Sequence, residues 1–280
     1  MLNKKIKHKN NLLVFITRIL FGLLLFNEKN FLLKKTTQKY LFFPHYLDRL
    51  IELLTLYPLS LREFRDIVYK FGFPTSEVYK YKFDENFTQT GKSDLFDSYK
   101  RLDAVYTTRL MLAYNRVDFF ADYVDILKER NITTVLDYGC GVSDIGILLA
   151  KKGCFVSLVD LDLPKLSFTK KRFGLRGLPV TVYQCQDTES LVEISSKFDL
   201  IIATEIIEHF RYPIKMIDYF HDHLNNNGLL YLSLGKTFER ESGGDHLDEA
   251  FHEGKSQEYW KNFRSKFKPI DNSYLIFEKK

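Results

Sequence analysis

Val135-Leu136-Asp137-Tyr138-Gly139-Cys140-Gly141-Val142-Ser143-Asp144 is the stretch on which the fold of this chain turns. The apolar run Thr133–Asp137 reads as a strand, and Ser143–Lys152 reads as a helix. Between them, Gly139 and Gly141 let the backbone bend sharply and approach a ligand closely. Ser143 is placed to cap the helix, whose exposed amides suit a negatively charged group such as a carboxylate.

The same texture repeats downstream. Phe155–Asp160, Val180–Gln184, Leu200–Thr204 and Leu229–Leu234 read as strands, while Pro164–Phe173, Glu189–Ser196 and Pro213–Leu224 read as helices. Such alternation implies an α/β fold with a mostly parallel sheet covered by helices on both faces. Gly228, after Asn225–Asn227, makes a tight turn into the fifth strand. Phe267–Glu278 reads as an antiparallel hairpin around Asp271-Asn272. Upstream, a long helix is predicted from Leu95 to Glu129. Leu47–Gly72 has helical spacing broken at Pro58, and Ser76–Ser93 reads as loop.

A sheet of this type binds ligands beyond the carboxyl ends of its strands. An acidic residue about twenty positions after the first glycine of a nucleotide loop meets the ribose hydroxyls. Asp160 follows Gly139 by 21 positions, with Asp162 as the competitor. A dinucleotide fingerprint would place a glycine where this chain has Asp144. A loop built for pyrophosphate would not normally set a carboxylate, Asp137, two residues before its first glycine. Both features favour an amino-acid nucleoside. The structural alternative is that Asp137 and Asp160 only cap turns and helices.

These stretches together resemble class I S-adenosylmethionine-dependent methyltransferases. Val135-Leu136-Asp137-Tyr138-Gly139-Cys140-Gly141 looks like the first motif of that family, except that Ser143 stands where the familiar form has a third glycine. Phe198-Asp199-Leu200-Ile201-Ile202-Ala203-Thr204-Glu205-Ile206-Ile207-Glu208-His209 resembles its fourth-strand motif, and Asn227-Gly228-Leu229-Leu230 its entry to the fifth strand. The resemblance runs from about Ile132 to the C-terminus. It implies a Rossmann-like, seven-stranded, mostly parallel sheet ending in an antiparallel hairpin, preceded by an N-terminal helical segment. Residues 1–95 are expected to form that segment, as a membrane-surface element or substrate cap, and residues 96–280 the methyltransferase domain.

The resemblance also implies roles. Gly139, Cys140 and Gly141 would line the methionine portion of S-adenosylmethionine, with Asp137 near its amino group. Asp160 would hold the ribose hydroxyls, with Leu161 beside it. Asp187 would approach the adenine amino group together with Thr188, and Thr204 and Glu205 would face the cofactor and acceptor.

Methyl transfer from a sulfonium needs alignment and, for some acceptors, a base with a pKa near 7. His209, just past the fourth strand, is the first candidate for that base, with Glu208 beside it. If Glu205 opens a helical turn, Glu205, Glu208 and His209 fall on one face and can hold a divalent cation such as Mg²⁺, which would itself lower the pKa of a hydroxyl acceptor. This pattern is similar to that of ubiquinone-pathway O-methyltransferases and small-RNA 2′-O-methyltransferases. The further ligand those families use would here be His246, with His252 second. The alternative is that Glu208 and His209 shape the acceptor cleft without metal. Lys236–Gly254 is a candidate lid, and Tyr79–Phe87 a candidate aromatic wall. Tyr259 and Trp260 read as core residues, and His221 and His223 as surface or packing residues.

The composition, 45% apolar and 28% charged, fits a packed globular chain and excludes a disordered one. Cys140, Cys154 and Cys185 match no disulfide or zinc spacing and read as reduced, mostly buried thiols. Residues 1–60 hold ten Lys/Arg against three Asp/Glu, whereas the remainder is nearly balanced with 31 against 33. Near-neutrality in the catalytic half argues against a nucleic-acid footprint there. Residues 11–26 are apolar behind Lys4, Lys5, Lys7 and Lys9, but as a helix they reach only roughly 24 Å against roughly 30 Å of hydrocarbon, and Arg18 interrupts them. A buried cap helix and a helix lying in the membrane interface both fit. The expectation is a cytoplasmic enzyme, peripheral on the inner membrane face in the second case. Its acceptor is expected to be a small molecule or a glycan, lipid-linked if that segment meets membrane. A nucleic-acid methyltransferase and an inactive scaffold of the same fold are the competing readings.

Overall fold

Thr134–Tyr138 forms β1 of a seven-stranded sheet in the computed structural model, which describes residues 44–71, 95–112, 120, 123–187, 190–233, 247–270 and 275–280. Residues 11–26, Tyr79–Phe87, Thr188 and His246, for which roles are expected above, lie outside the described residues. The other strands are β2 (Phe155–Leu161), β3 (Val180–Cys185), β4 (Phe198–Thr204), β5 (Leu224–Ser233), β6 (Phe267–Pro269) and β7 (Ile276–Lys279). Their order is β3-β2-β1-β4-β5-β7-β6. β1 to β5 pair in parallel, and β7 pairs antiparallel with both β5 and β6. The expected hairpin is therefore present, folded onto the fifth strand.

Period-two alternation builds a core on each face. Leu136, Tyr138, Ile201, Ala203, Leu230 and Leu232 pack in one cluster, whereas Val135, Leu200, Ile202, Leu229 and Tyr231 pack in the other. Burial on both sides is why these strands read as continuous apolar runs. The first face is closed by α7 (Pro213–His223) and α9 (Gln257–Lys266), which contribute Met216, Ile217, Phe220, Tyr259 and Phe263. The second is closed by α4 (Val124–Glu129), α5 (Asp144–Lys151) and α6 (Pro164–Leu175) through Leu127, Ile145, Leu149, Leu166 and Phe173. Tyr259 is fully buried, as expected of a core residue. His223 packs its ring on Tyr219, with centroids 4.0 Å apart.

One carboxylate fastens the starts of β1 and β4 to each other. Asp199 Oδ2 accepts hydrogen bonds from the amides and hydroxyls of both Thr133 and Thr134 at 2.8–3.0 Å, and its Oδ1 accepts one from Asn225 at 2.8 Å. Partial burial works to raise its pKa, but the bonds from Asn225, Thr133 and Thr134 outweigh it and hold the carboxyl at about 2. Because the folded value lies below the unfolded one of about 3.9, this stabilisation is present above about pH 4 and is lost as pH falls toward 2. Asp199→Ala should therefore cost about 1–2 kcal/mol at pH 7, after discounting for partial exposure, and almost nothing at pH 2. Denaturant melts at the two pH values check this; an equal loss at both would remove the ionic account.

Two compact units are distinguished, residues 1–83 with 104–114 and residues 84–103 with 115–280. The first contains α1 (Pro44–Leu56), α2 (Leu61–Phe71) and the last residues of α3 (Leu95–Leu112). The helical break near Pro58 falls where expected. Ser60 and Glu63 form a capping box at the start of α2: Ser60 Oγ accepts from the Glu63 amide at 3.2 Å, and Glu63 accepts from the Ser60 amide at 2.7 Å. Arg49 donates to the carbonyls of Leu110 and Met111, meeting acceptors that the end of α3 leaves unsatisfied. Among the described residues, no helix is long and apolar enough to cross a membrane.

Four expectations are corrected. The helix expected from Leu95 to Glu129 is divided: α3 closes at Leu112, and α4 starts afresh after Tyr123, which has turn geometry. The helix expected over Glu189–Ser196 is absent from residues 190–197. There the Val192 and Ile194 carbonyls accept from Tyr219 and face His223, so side chains of α7 take the bonds a helix would need. Gly228 does not open the fifth strand, because β5 already begins at Leu224 and carries residues 225–228 as an irregularity in its register with β4. The C-terminal part of the candidate lid is a packed helix, α8 (Asp248–Gly254), with Ala250 fully buried and Glu253 accepting from the Ile214 amide at 2.9 Å at the start of α7.

Candidate active site

The loop after β1 is held in a left-handed conformation at every second residue: Gly139 at φ +67°, Gly141 at +55° and Ser143 at +51°. Alternation of this kind folds the loop back on itself, with the Ser143 amide donating to the Cys140 carbonyl at 2.7 Å. The Gly139 and Cys140 amides both donate to Val159 O of β2, at 2.8 and 3.0 Å, which fixes the start of the loop. A Cβ on Gly139 would lie 2.4 Å from the Ile206 side chain, so the glycine lets the β1 loop and the segment after β4 touch.

Ser143 keeps the backbone conformation that the missing third glycine would adopt most easily. It does not cap α5 with its side chain, contrary to expectation. Its hydroxyl donates to Asp137 Oδ2 at 2.6 Å, in the buried layer beneath the loop. A Cβ on Gly146 would come within 2.2 Å of that hydroxyl. The short bond between Ser143 and Asp137 thus fills the space that Gly146 vacates.

Asp160, at the carboxyl end of β2, is buried and reaches the loop directly. Its Oδ2 accepts from the Gly141 amide at 2.6 Å, and its Oδ1 accepts from the Leu161 amide at 2.8 Å and lies 3.1 Å from Lys165 Nζ. The competitor, Asp162, is exposed and is bonded to Gln184 instead. Asp187, two residues past the end of β3, makes a local turn, accepting from the Ser190 amide and hydroxyl at 2.6 and 2.9 Å. Burial, followed by the charges of Asp160 and Asp137, pushes the Cys140 thiol well above its ordinary range. Cys140 is therefore a neutral packing thiol in the loop. All three cysteines are free, as expected.

At the end of β4, Thr204 is half-buried and pairs with Ser233 of β5. Glu205 is exposed and left-handed, at φ +52°. The expected helical face is not formed: Glu205 stands outside a single 3₁₀ turn, Ile207–His209, while Glu208 and His209 are buried within it. A left-handed residue cannot open a right-handed helical turn, so the i, i+3, i+4 geometry is lost. Among the described residues, no group of three or more His, Cys, Asp or Glu side chains is placed to hold a metal ion.

His209 instead meets a residue of α3, 110 positions earlier in the chain. Its Nδ1 lies 2.9 Å from the Tyr99 hydroxyl of α3, with both side chains buried and the rings edge to face. The Glu208 carbonyl accepts from the Leu247 amide at 3.1 Å, which ties the turn to the residue preceding α8. Burial and then the charges of Glu208 and Glu253 push the Tyr259 phenol above its usual range, which places the Glu208 carboxylate near that ring.

Sequence reasoning missed Tyr99, Ile206, Lys165, Thr169 and Arg172. The last three had a signal, since polar residues recur on the face of α6 that the fold buries. Tyr99 had none.

The family described as "Methyltransferase domain" matches residues 108–267. A ubiquinone biosynthesis O-methyltransferase of Coxiella burnetii is 34% identical over 109 residues, covering 38% of this chain and 46% of that protein. The protein of the same description from Histophilus somni is 30% identical over 129 residues, covering 44% and 53%. The chain spans about half the length of the curated relatives it matches. Among solved structures, an S-adenosylmethionine-dependent methyltransferase from Clostridium acetobutylicum shares 23% identity at a TM-score of 0.40, over 48% of this chain and 56% of that one.

Proposed function

The chain belongs to the methyltransferase-domain family, and from that premise we propose that it transfers the methyl group of S-adenosylmethionine to an oxygen of a small-molecule or glycan acceptor. The observation that carries the donor side is Asp160, a buried carboxylate at the end of β2, bonded to Gly141 of a loop whose alternate residues are left-handed. These residues fit the donor. The glycines let the loop backbone approach it closely, and Asp160 can accept from ribose hydroxyls through the remaining lone pairs of its two oxygens. Bound there, the donor supplies an activated methyl on a sulfonium.

The chain's own work is to hold, align and deprotonate. Gly139, Cys140 and Gly141 line one wall, and Ile206 sets the spacing between that wall and the end of β4. His209 takes the proton of the acceptor hydroxyl. With Nδ1–H donated to the Tyr99 oxygen, Nε2 carries the lone pair and is the basic atom. Oxygen as the accepting atom is supported by the O-methyltransferase relatives, which the chain matches over part of their length. The basic, apolar residues 1–60 support a lipid-linked acceptor and a contact of residues 11–26 with anionic membrane. Of the residues suggested for a divalent cation, Glu205 stands outside the turn that holds Glu208 and His209, and no step here passes through such a site.

The test is methyl transfer from labelled donor to a panel of phenols, glycans, lipid-linked sugars and RNA. Label appearing on oxygen of one of the first three classes is expected. Label on RNA alone would replace this acceptor class with a nucleic acid.

A further inference from the structure

Lys165, Thr169 and Arg172 lie at spacings of four and three on α6, so they share one helix face. All three are almost fully buried. A helix normally turns apolar residues inward, and polar groups placed there need partners to offset their desolvation. Each of the three has a partner at the β1 loop, the start of α5 or Asp160. Lys165 Nζ lies 3.1 Å from Asp160 Oδ1. The Thr169 hydroxyl is 2.7 Å from the Gly141 carbonyl, with the Lys165 carbonyl of its own helix as an alternative acceptor at 3.0 Å. Arg172 donates to the Val142 carbonyl and pairs with Asp144 at 3.0 Å.

We infer that this polar stripe of α6 is a set of positioning residues for the methyl donor, which grips the glycine loop and the ribose carboxylate from behind. The inference rests on the donor-binding reading given above. The peptide unit is planar, with its C=O and N–H pointing in opposite directions. Holding the Gly141 carbonyl against α6 therefore directs the Val142 amide away from the helix, while the Ser143 amide closes the bend onto the Cys140 carbonyl at 2.7 Å. The stripe fixes the course of the loop and the direction of the Val142 amide from behind. Asp103 of α3 secures the helix end of this arrangement by accepting from the Lys165 amide at 3.1 Å.

Thr169→Val is the informative variant, because it keeps the shape and loses only the hydroxyl. Thr169→Ser keeps the hydroxyl. The measurements are calorimetric affinity for S-adenosylhomocysteine and the melting temperature of each full-length protein. Thr169→Val should weaken binding about three- to tenfold while the melting temperature falls by only about 2–8 °C, and Thr169→Ser should bind close to wild type. Arg172→Lys, which can keep one of the two loop contacts but not both, should fall between wild type and complete loss of binding. Wild-type affinity in Thr169→Val, or an affinity loss that Thr169→Ser shares in full, would overturn the inference. Wild-type protein that is folded and binds no S-adenosylhomocysteine would instead overturn the donor reading, and the stripe's role with it.

Discussion

Asp160→Ala should weaken the binding of S-adenosylhomocysteine by about a hundredfold and also destabilise the fold. Two effects are superimposed in this variant. The first is the loss of hydrogen bonds from ribose to a charged acceptor, on the order of a hundredfold in affinity. The second is structural. Lys165 is as buried as its partner, with side-chain exposures of 6% and 7%, so deleting the carboxylate removes a buried negative charge that faces the ammonium. Breaking one side of a buried pair costs about 3–5 kcal/mol, whereas replacing both members with well-packed apolar groups is often neutral. Asp160→Ala/Lys165→Met should therefore recover most of the lost stability while its affinity stays low. Calorimetry and denaturant melts on the two variants separate the effects. If the double variant regains donor-product affinity, the ribose assignment is wrong and the single variant failed only because the buried charge facing Lys165 was removed.

His209→Ala should lower kcat by about 10²–10⁴, the usual contribution of a positioned general base, and leave S-adenosylhomocysteine affinity within a fewfold of wild type. Donor residues lie on the β1 loop and at the end of β2, while His209 lies in the turn after β4, so the two properties are separable. Tyr99→Phe should lower kcat by a smaller factor, about fivefold for a single buried hydrogen bond, because the imidazole keeps its place but loses the partner of Nδ1. Turnover of an oxygen acceptor found by the labelled panel, measured at saturating donor, gives both numbers. An unchanged kcat in His209→Ala would remove the histidine from the chemistry and leave it a cleft residue.

These two experiments probe parts of the molecule that differ in how legible they were in the sequence. The loop from Asp137 to Ser143 was readable because its signals are local: an apolar run, two glycines at positive φ, and a helix beginning within three residues. Asp160 was readable for the same reason, since the length of one helix and one strand sets its distance from Gly139. The end of β4 was half readable. Its strand followed from apolar content, but the left-handed turn at Glu205 overrode the expected helical face and with it the cation site built on that face. The segment from 190 to 197 was misread because Tyr219 and His223, from a helix still to come in the chain, claim its carbonyls.

What the sequence determined alone is the parallel sheet, its closing hairpin and the glycine bend that faces the strand ends, because period-two and period-3.6 patterns and glycine backbone freedom act within a few residues. What only the tertiary structure decided is which side chains converge there. Tyr99 meets His209 across 110 positions of chain, and Arg172 reaches back 30 positions to Val142. Such pairings depend on which faces of α3 and α6 come to rest against the sheet ends. That choice is made by packing over the whole domain, where the three buried polar residues of α6 meet partners on the β1 loop, at the start of α5 and at the end of β2.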